Sequence, residues 1–299
     1  MVVAHMEDAG RSWRWFGRLA ATPRLTGSIP PTVQVLLGII SVQVGGAVAK
    51  TLFTSAGATG VVALRLVFCA LILLLIWRPT IKRETLGVVV VYGVVLGTMN
   101  LLFYLSLARI PLGVAVTIEF LGPLAVALLG SRRLRDVLWA LMAAGGVVLL
   151  ARGGGDIDPV GVLLALGAGA CWAGYILASA KLGSRTSDGT GLALGMVVAA
   201  ALVVPFGVAD AGTALLSPTV LLAGLAVALL SSVIPYSLEL EALRKIPPRV
   251  FGVLMSMEPA VAALAGLALL GELLAPVQWV AICLVVAASA GATRSANAP

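Results

Sequence analysis

Polar residues interrupt this chain at intervals of roughly twenty positions, and between the interruptions the sequence is almost continuously apolar. Ten such runs can be marked, over 31–53, 58–77, 85–107, 112–130, 134–151, 159–181, 189–209, 217–242, 249–271 and 275–292. A helix that crosses a bilayer needs ~20 mostly apolar residues. The pattern therefore predicts an all-α polytopic membrane protein with ten transmembrane helices. The breakers between runs are short and leave no room for a separate soluble domain.

The pattern also repeats. Ile110-Pro111 and Ile246-Pro247 lie 136 residues apart, and so do Pro123 and Pro259. Trp139 and Trp279 follow at a spacing of 140. The stretch RIPLGVAVTIEFLGPLAVALL at 109–129 thus pairs with KIPPRVFGVLMSMEPAVAALA at 245–265. Five helices is an odd number, so the second half must enter the membrane inverted, as in secondary transporters with a site near the midplane. The expected organisation is a basic tail at 1–30, a first five-helix repeat at 31–151 and a connector at 152–158. A second repeat at 159–292 and a short tail at 293–299 complete it. Gly93–Gly97 and Gly191–Gly195 have the small-xxx-small spacing that suits close helix packing.

Composition agrees with the membrane reading. Of 299 residues, 60% are hydrophobic and 11% charged, against ~45–50% and ~25% in soluble domains. Cys69, Cys171 and Cys283 each fall inside an apolar run, without metal-ligand spacing, and read as small packing residues. His5 is the single histidine, which argues against a histidine metal site or catalytic triad. No phosphate-cradling glycine motif, metal cluster or nucleophile elbow is present, so neither ATP-driven transport nor a cofactor is expected.

The net charge of +7 reads as topology rather than nucleic-acid binding. With the N-terminus cytoplasmic, sixteen basic residues fall on the cytoplasmic side. Only Arg109 and Arg152 fall outside, and Lys50 and Arg65 lie within helices. The positive-inside rule then places both termini in the cytoplasm of a plasma-membrane protein. Residues 1–30, with Arg11, Arg14, Arg18 and Arg24 beside Trp13 and Trp15, lack the apolar core and cleavage site of a signal peptide. Lying on the anionic membrane surface and forming a plain extension both remain open for this tail.

Charges inside the membrane need partners or water, because each costs roughly 2.5–3.5 kcal/mol on insertion scales. Lys50 and Arg65 sit toward the outer ends of the first two helices, Glu119 in the outer half of the fourth, and Glu258 near the middle of the ninth. Snorkelling for Lys50 and an ion pair with Glu119 for Arg65 are the structural alternatives. Glu239 and Glu241 read as interface residues paired with Arg244 or Lys245. A proline leaves the carbonyl four residues earlier without its helical donor. Pro123 therefore frees the carbonyl of Glu119, and Pro259 frees that of Met255 while following Glu258 directly. A carboxylate beside a broken helix in each half is the strongest sequence pointer to a transport site. Further candidate lining residues are Asn100 and Tyr104, four apart on one helix face, with Trp172, Tyr175 and Tyr236.

Several stretches carry a family resemblance: GGAVAKTLF (45–53), VVALRLVF (61–68), MNLLFYLSLARIPLGVAVTIEFLGPLAVALL (99–129), ALGAGACWAGYIL (165–177) and IPYSLELEALRKIPPRVFGVLMSMEPAVAAL (234–264). These resemble the drug/metabolite transporter superfamily, EamA type, and within it the exporters of threonine and homoserine. The resemblance implies ten helices in two inverted halves and export by alternating access. It leads to the expectation of a proton-linked exporter of small neutral amino acids. For a zwitterion, Arg65 or Lys50 is expected to hold the carboxylate and Glu119 or Glu258 the ammonium. A carboxylate in a poorly hydrated cavity can also exchange a proton, which makes Glu119 and Glu258 the coupling candidates. Another cargo on the same fold, such as an aromatic or cationic drug stacking on Trp172, Tyr175 and Tyr236, is the alternative. A membrane-embedded enzyme or assembly subunit is the reading of a different class. The partners expected are an amino-acid substrate, the bilayer and protons, with both a monomer and a homodimer left open.

Overall fold

The computed structural model describes residues 29–77, 79, 83–128, 134–152, 157–183, 190–243, 245–246 and 248–296. Most of the tail at 1–30, the middle of the 152–158 connector and the basic positions 78, 82, 132, 133, 185 and 244 lie outside them. Among the described residues every regular element is helical. They are α1 (Pro31–Thr51), α2 (Phe53–Trp77), α3 (Arg83–Leu107), α4 (Leu112–Glu119), α5 (Leu121–Leu128), α6 (Leu134–Arg152) and α7 (Pro159–Gly183). There follow α8 (Thr190–Ala211), a 3₁₀ turn (Gly212–Leu216), α9 (Pro218–Ala228), a π-helical segment (Leu229–Val233) and α10 (Ile234–Leu243). α11 (Pro248–Met255), α12 (Glu258–Leu270) and α13 (Pro276–Ala296) complete the chain. Six helices are long and apolar enough to cross a membrane, and four shorter apolar helices accompany them.

The element starts follow local chemistry. Asp158 precedes Pro159, and its carboxylate accepts from the Val160 N–H at 2.8 Å, an N-cap with proline in the first turn. Ser217 before Pro218 does the same for α9, accepting from Val220 at 3.2 Å. At the other end of a helix, Gly271 has φ 66°, which lets the Glu272 N–H reach back to the Gly266 carbonyl at 3.1 Å. The Gly271 N–H turns to the same carbonyl, and this left-handed closure fixes where the Glu272 side chain starts.

The helices pair across the two sequence halves. α2 packs on α8, α3 on α7, α6 on α13, α4 on α12, and α1 on the π segment and α10. At the α3–α8 crossing a Cβ at Gly93 would stand 2.5 Å from the Gly195 carbonyl, so the expected glycine contacts here are true backbone approaches. One end of the bundle is laced by polar ties that join the halves. Lys50 meets Glu272 at 2.6 Å, Arg109 meets Asp158 at 2.8 Å, and Thr59 donates to Asp210 at 2.5 Å. The Arg109 hydrogen bond and the Val160 N–H hold the Asp158 carboxyl below the usual range. All of these residues sit at helix ends or connections that the ten-run pattern puts on the same side of the bundle.

Candidate functional site

Two helix breaks build the site. α4 ends at Glu119 and α5 begins at Leu121, two residues before Pro123. The Phe120 N–H still reaches the Val116 carbonyl at 2.9 Å, but Pro123 has no N–H to offer Glu119. The freed carbonyl lies against Gly169 of α7, where a Cβ would stand 2.8 Å from it. A Cβ at Gly122 would in turn collide with the Gly169 carbonyl, so the break and α7 meet backbone to backbone. In the second half α11 ends at Met255, the residue whose carbonyl Pro259 frees, and α12 begins at Glu258. The two helices stop 136 residues apart, at Glu119 and Met255, the same spacing as the paired prolines.

The carboxylates at these breaks are buried. Glu119 and Glu258 are each 7% exposed. The Gln43 side chain on α1 donates to Glu258 Oε1 at 3.2 Å. Glu258 Oε2 is buried without a hydrogen-bond partner among the described residues. Glu119 lies within electrostatic range of both Glu258 and Arg65. Glu239, expected at the interface, is instead buried against Gly38 of α1 and also feels Glu258. The helix that covers it is α1, where a Cβ at Gly38 would stand 3.3 Å from Glu239 Cγ and 3.4 Å from its Oε1. The side chain of Glu241 lies outside the described residues.

Arg65 brings the cation. It is half-buried on α2, and its Nη1 lies 3.4 Å from the Tyr104 hydroxyl, with the guanidinium 5.6 Å from the centre of the Tyr104 ring. Its Nη2 lies 3.5 Å from the Ser231 carbonyl in the π segment. Tyr104 is 1% exposed and is held against Phe53 with ring centres 5.9 Å apart. Stacking and hydrogen bonding together set the plane of the guanidinium.

The remaining sequence candidates fall in different places. Asn100 is buried, but its amide donates to the Leu96 carbonyl one turn earlier on α3 at 2.9 Å. Trp172 sits edge-on to Phe120 at the first break, with centres 5.7 Å apart. Tyr175 packs on Tyr92 at 5.3 Å. Tyr236 is on α10, and its side chain lies outside the described residues. Lys50 stands about two turns beyond Gln43 on α1. Its ammonium is engaged by the Ile110 carbonyl at 2.8 Å and by Glu272 Oε1. Glu272 Oε2 meanwhile accepts from the Leu112 N–H at 2.7 Å, capping the start of α4. Arg65 is thus held by Tyr104 and Ser231 within electrostatic range of Glu119, while Lys50 is held in a lock at the bundle end. Sequence reasoning missed Gln43 and Ser231. A glutamine inside an apolar run was the one signal that could have flagged Gln43.

Residues 159–294, the second half of the chain, match the EamA-like transporter family. The chain is 46% identical over 280 residues to the Threonine/homoserine exporter RhtA of Salmonella typhimurium, covering 91% of this chain and 95% of that protein. It is 48% identical over 269 residues to the protein of the same name from Escherichia coli, covering 88% and 91%. An Uncharacterized transporter, YwfM of Bacillus subtilis, is 29% identical over 228 residues, covering 74% and 70%. Near-full-length identity of this size, added to the match over the second half, means that the chain belongs to the EamA-like transporter family.

Proposed function

We propose that this protein is a secondary active exporter of threonine, homoserine and similar small neutral amino acids across the bacterial plasma membrane. The observation that carries the reading is its 48% identity over 88% of the chain to a relative named for that activity. The site supplies what a zwitterion needs. Arg65 is the cation for the substrate carboxylate, with Tyr104 beside it. Glu119 and Glu258 are the anions for the ammonium group, and Glu258 has one oxygen still to be satisfied. Both carboxylates are also the candidates to exchange a proton, which makes export a proton antiport.

Alternating access between two inverted five-helix halves is the mechanism that suits this arrangement. The packing supports it, because the principal pairings keep their form when the halves are exchanged. α2 on α8 and α6 on α13 map onto themselves, and α3 on α7 maps onto α10 on α1. The common spacing of the helix breaks supports it as well. In this reading residues 31–151 and 159–292 are the two repeats, and both termini face the cytoplasm. The test is release of labelled threonine from loaded vesicles carrying wild type, Glu119→Gln or Glu258→Gln. Slowed transport with altered pH dependence in at least one variant is expected. Unchanged transport and unchanged pH dependence in both removes the glutamates from the mechanism.

A further inference from the structure

The second half contains a third interruption, which the two proline breaks do not explain. Between α9 and α10 the helix passes through a π-helical turn at Leu229–Val233, and Pro235 follows at once. In the π register the Ile234 N–H bonds the Leu229 carbonyl, five residues back. Residue 235 would come next and donate to Leu230, or to Ser231 in the α register. A proline can donate to neither. Leu230 thus loses its π-register donor and Ser231 its α-register donor, and both carbonyls meet a side chain from the first half of the chain. Ser41 Oγ on α1 donates to the Leu230 carbonyl at 2.7 Å. Arg65 Nη2 on α2 approaches the Ser231 carbonyl at 3.5 Å. The approach is permitted by Gly45 of α1, where a Cβ would collide with Ser231 Oγ.

We infer that the π turn and Pro235 are a positioning device for Arg65: they take the α-helical donor away from the Ser231 carbonyl so that it holds one edge of the guanidinium while Tyr104 holds another. The inference rests on the reading that Arg65 receives the substrate carboxylate. A guanidinium carries five donors in a fixed fork. Two edges placed on Tyr104 and Ser231 restrict how the guanidinium can turn toward a substrate carboxylate. Arg65 is also within electrostatic range of Glu119, so its direction decides whether it faces the substrate or the carboxylate. The anchor belongs to the opposite half of the chain from Arg65. Any relative motion of the halves therefore changes the hold on the guanidinium, and the strength of carboxylate binding changes with it.

Pro235→Ala restores an N–H that can bond the freed carbonyls and regularise the helix. Labelled threonine transport is measured in liposomes of the purified protein, with threonine amide, which lacks the carboxylate, as competitor. The expected result for Pro235→Ala is a KM for threonine raised roughly 3- to 10-fold, as for loss of one hydrogen bond, with the maximal rate little changed. The preference for threonine over its amide shrinks as well, and in the double variant with Arg65→Gln the losses do not add. Tyr104→Phe, which removes the other contact without touching the helix, is expected to act in the same direction and serves if Pro235→Ala does not fold. The inference alone is overturned if Arg65→Gln erases the preference for threonine while Pro235→Ala and Tyr104→Phe leave it intact. It is overturned together with the role of Arg65 if Arg65→Gln itself leaves the preference intact. A merely structural proline would shift thermal stability without changing discrimination between the acid and the amide.

Discussion

Lys50 can be assigned by a thermodynamic cycle. The structure engages its ammonium with Glu272 Oε1 at 2.6 Å and with the Ile110 carbonyl, at a place where the two side chains are 22% and 14% exposed. Exposed ion pairs contribute about 0–1 kcal/mol, and hydrogen bonds to charged groups about 1.5–3 kcal/mol. A partly buried pair between these limits predicts a coupling of about 1–2 kcal/mol. Glu272→Gln keeps an oxygen for the Leu112 N–H and removes the charge, so it should lose about that amount. Glu272→Ala also uncaps the start of α4 and should lose about 2–4 kcal/mol. On the scale of soluble domains this is a fall in Tm of roughly 2–4 °C per kcal/mol, read by thermal unfolding of detergent-purified protein. Lys50→Met combined with Glu272→Gln should be little worse than either alone. Lys50→Met should leave the threonine KM within about twofold, since it removes no substrate contact. The reasoning is refuted if the two substitutions add within ~0.5 kcal/mol, or if Lys50→Met raises the threonine KM strongly at unchanged Tm.

Three further outcomes follow from the packing and the polar contacts. Gly122→Ala drives a Cβ into the Gly169 carbonyl and should lower stability by about 1–3 kcal/mol, seen as a lower Tm, while Ala at the open Gly145 should have little effect. Gln43→Leu removes the donor to Glu258 Oε1, and labelled-threonine assays should show weaker binding with nearly normal folding. Asp158 is held below its usual range by Arg109, so its contribution is present above ~pH 4 and fades as pH falls through the lowered value. Asp158→Asn should therefore lower Tm at pH 7, and the difference should shrink as pH falls through the lowered value.

What could be read in the sequence was local. Pro123 and Pro259 lack an N–H wherever they occur, so their breaks fall where the register says, at Glu119 and Met255. The apolar runs and their breakers placed the other helix ends within about five residues, as at Pro159. What could not be read depends on which helices meet. Gln43 reaches Glu258 across 215 positions, and Lys50 reaches Glu272 across 222. No spacing rule connects such pairs. Glu239 was misplaced at the interface because its burial comes from another helix, α1, packing on it around Gly38. The π turn escaped for a related reason: Pro235 signals a missing donor, but only the packed neighbours Ser41 and Arg65 show where the freed carbonyls turn.

If threonine crosses through a site of Arg65, Glu119 and Glu258, its transport must depend on the protein and on these side chains. The most direct test is labelled-threonine uptake into inside-out membrane vesicles with and without the protein. The account predicts uptake that requires the protein and is faster when the vesicle lumen is acidic. Arg65→Gln is expected to slow uptake strongly and lose the preference for threonine over its amide, and Glu258→Gln to fall to the level of vesicles lacking the protein. Equal uptake with and without the protein, or full activity in both variants, would contradict it.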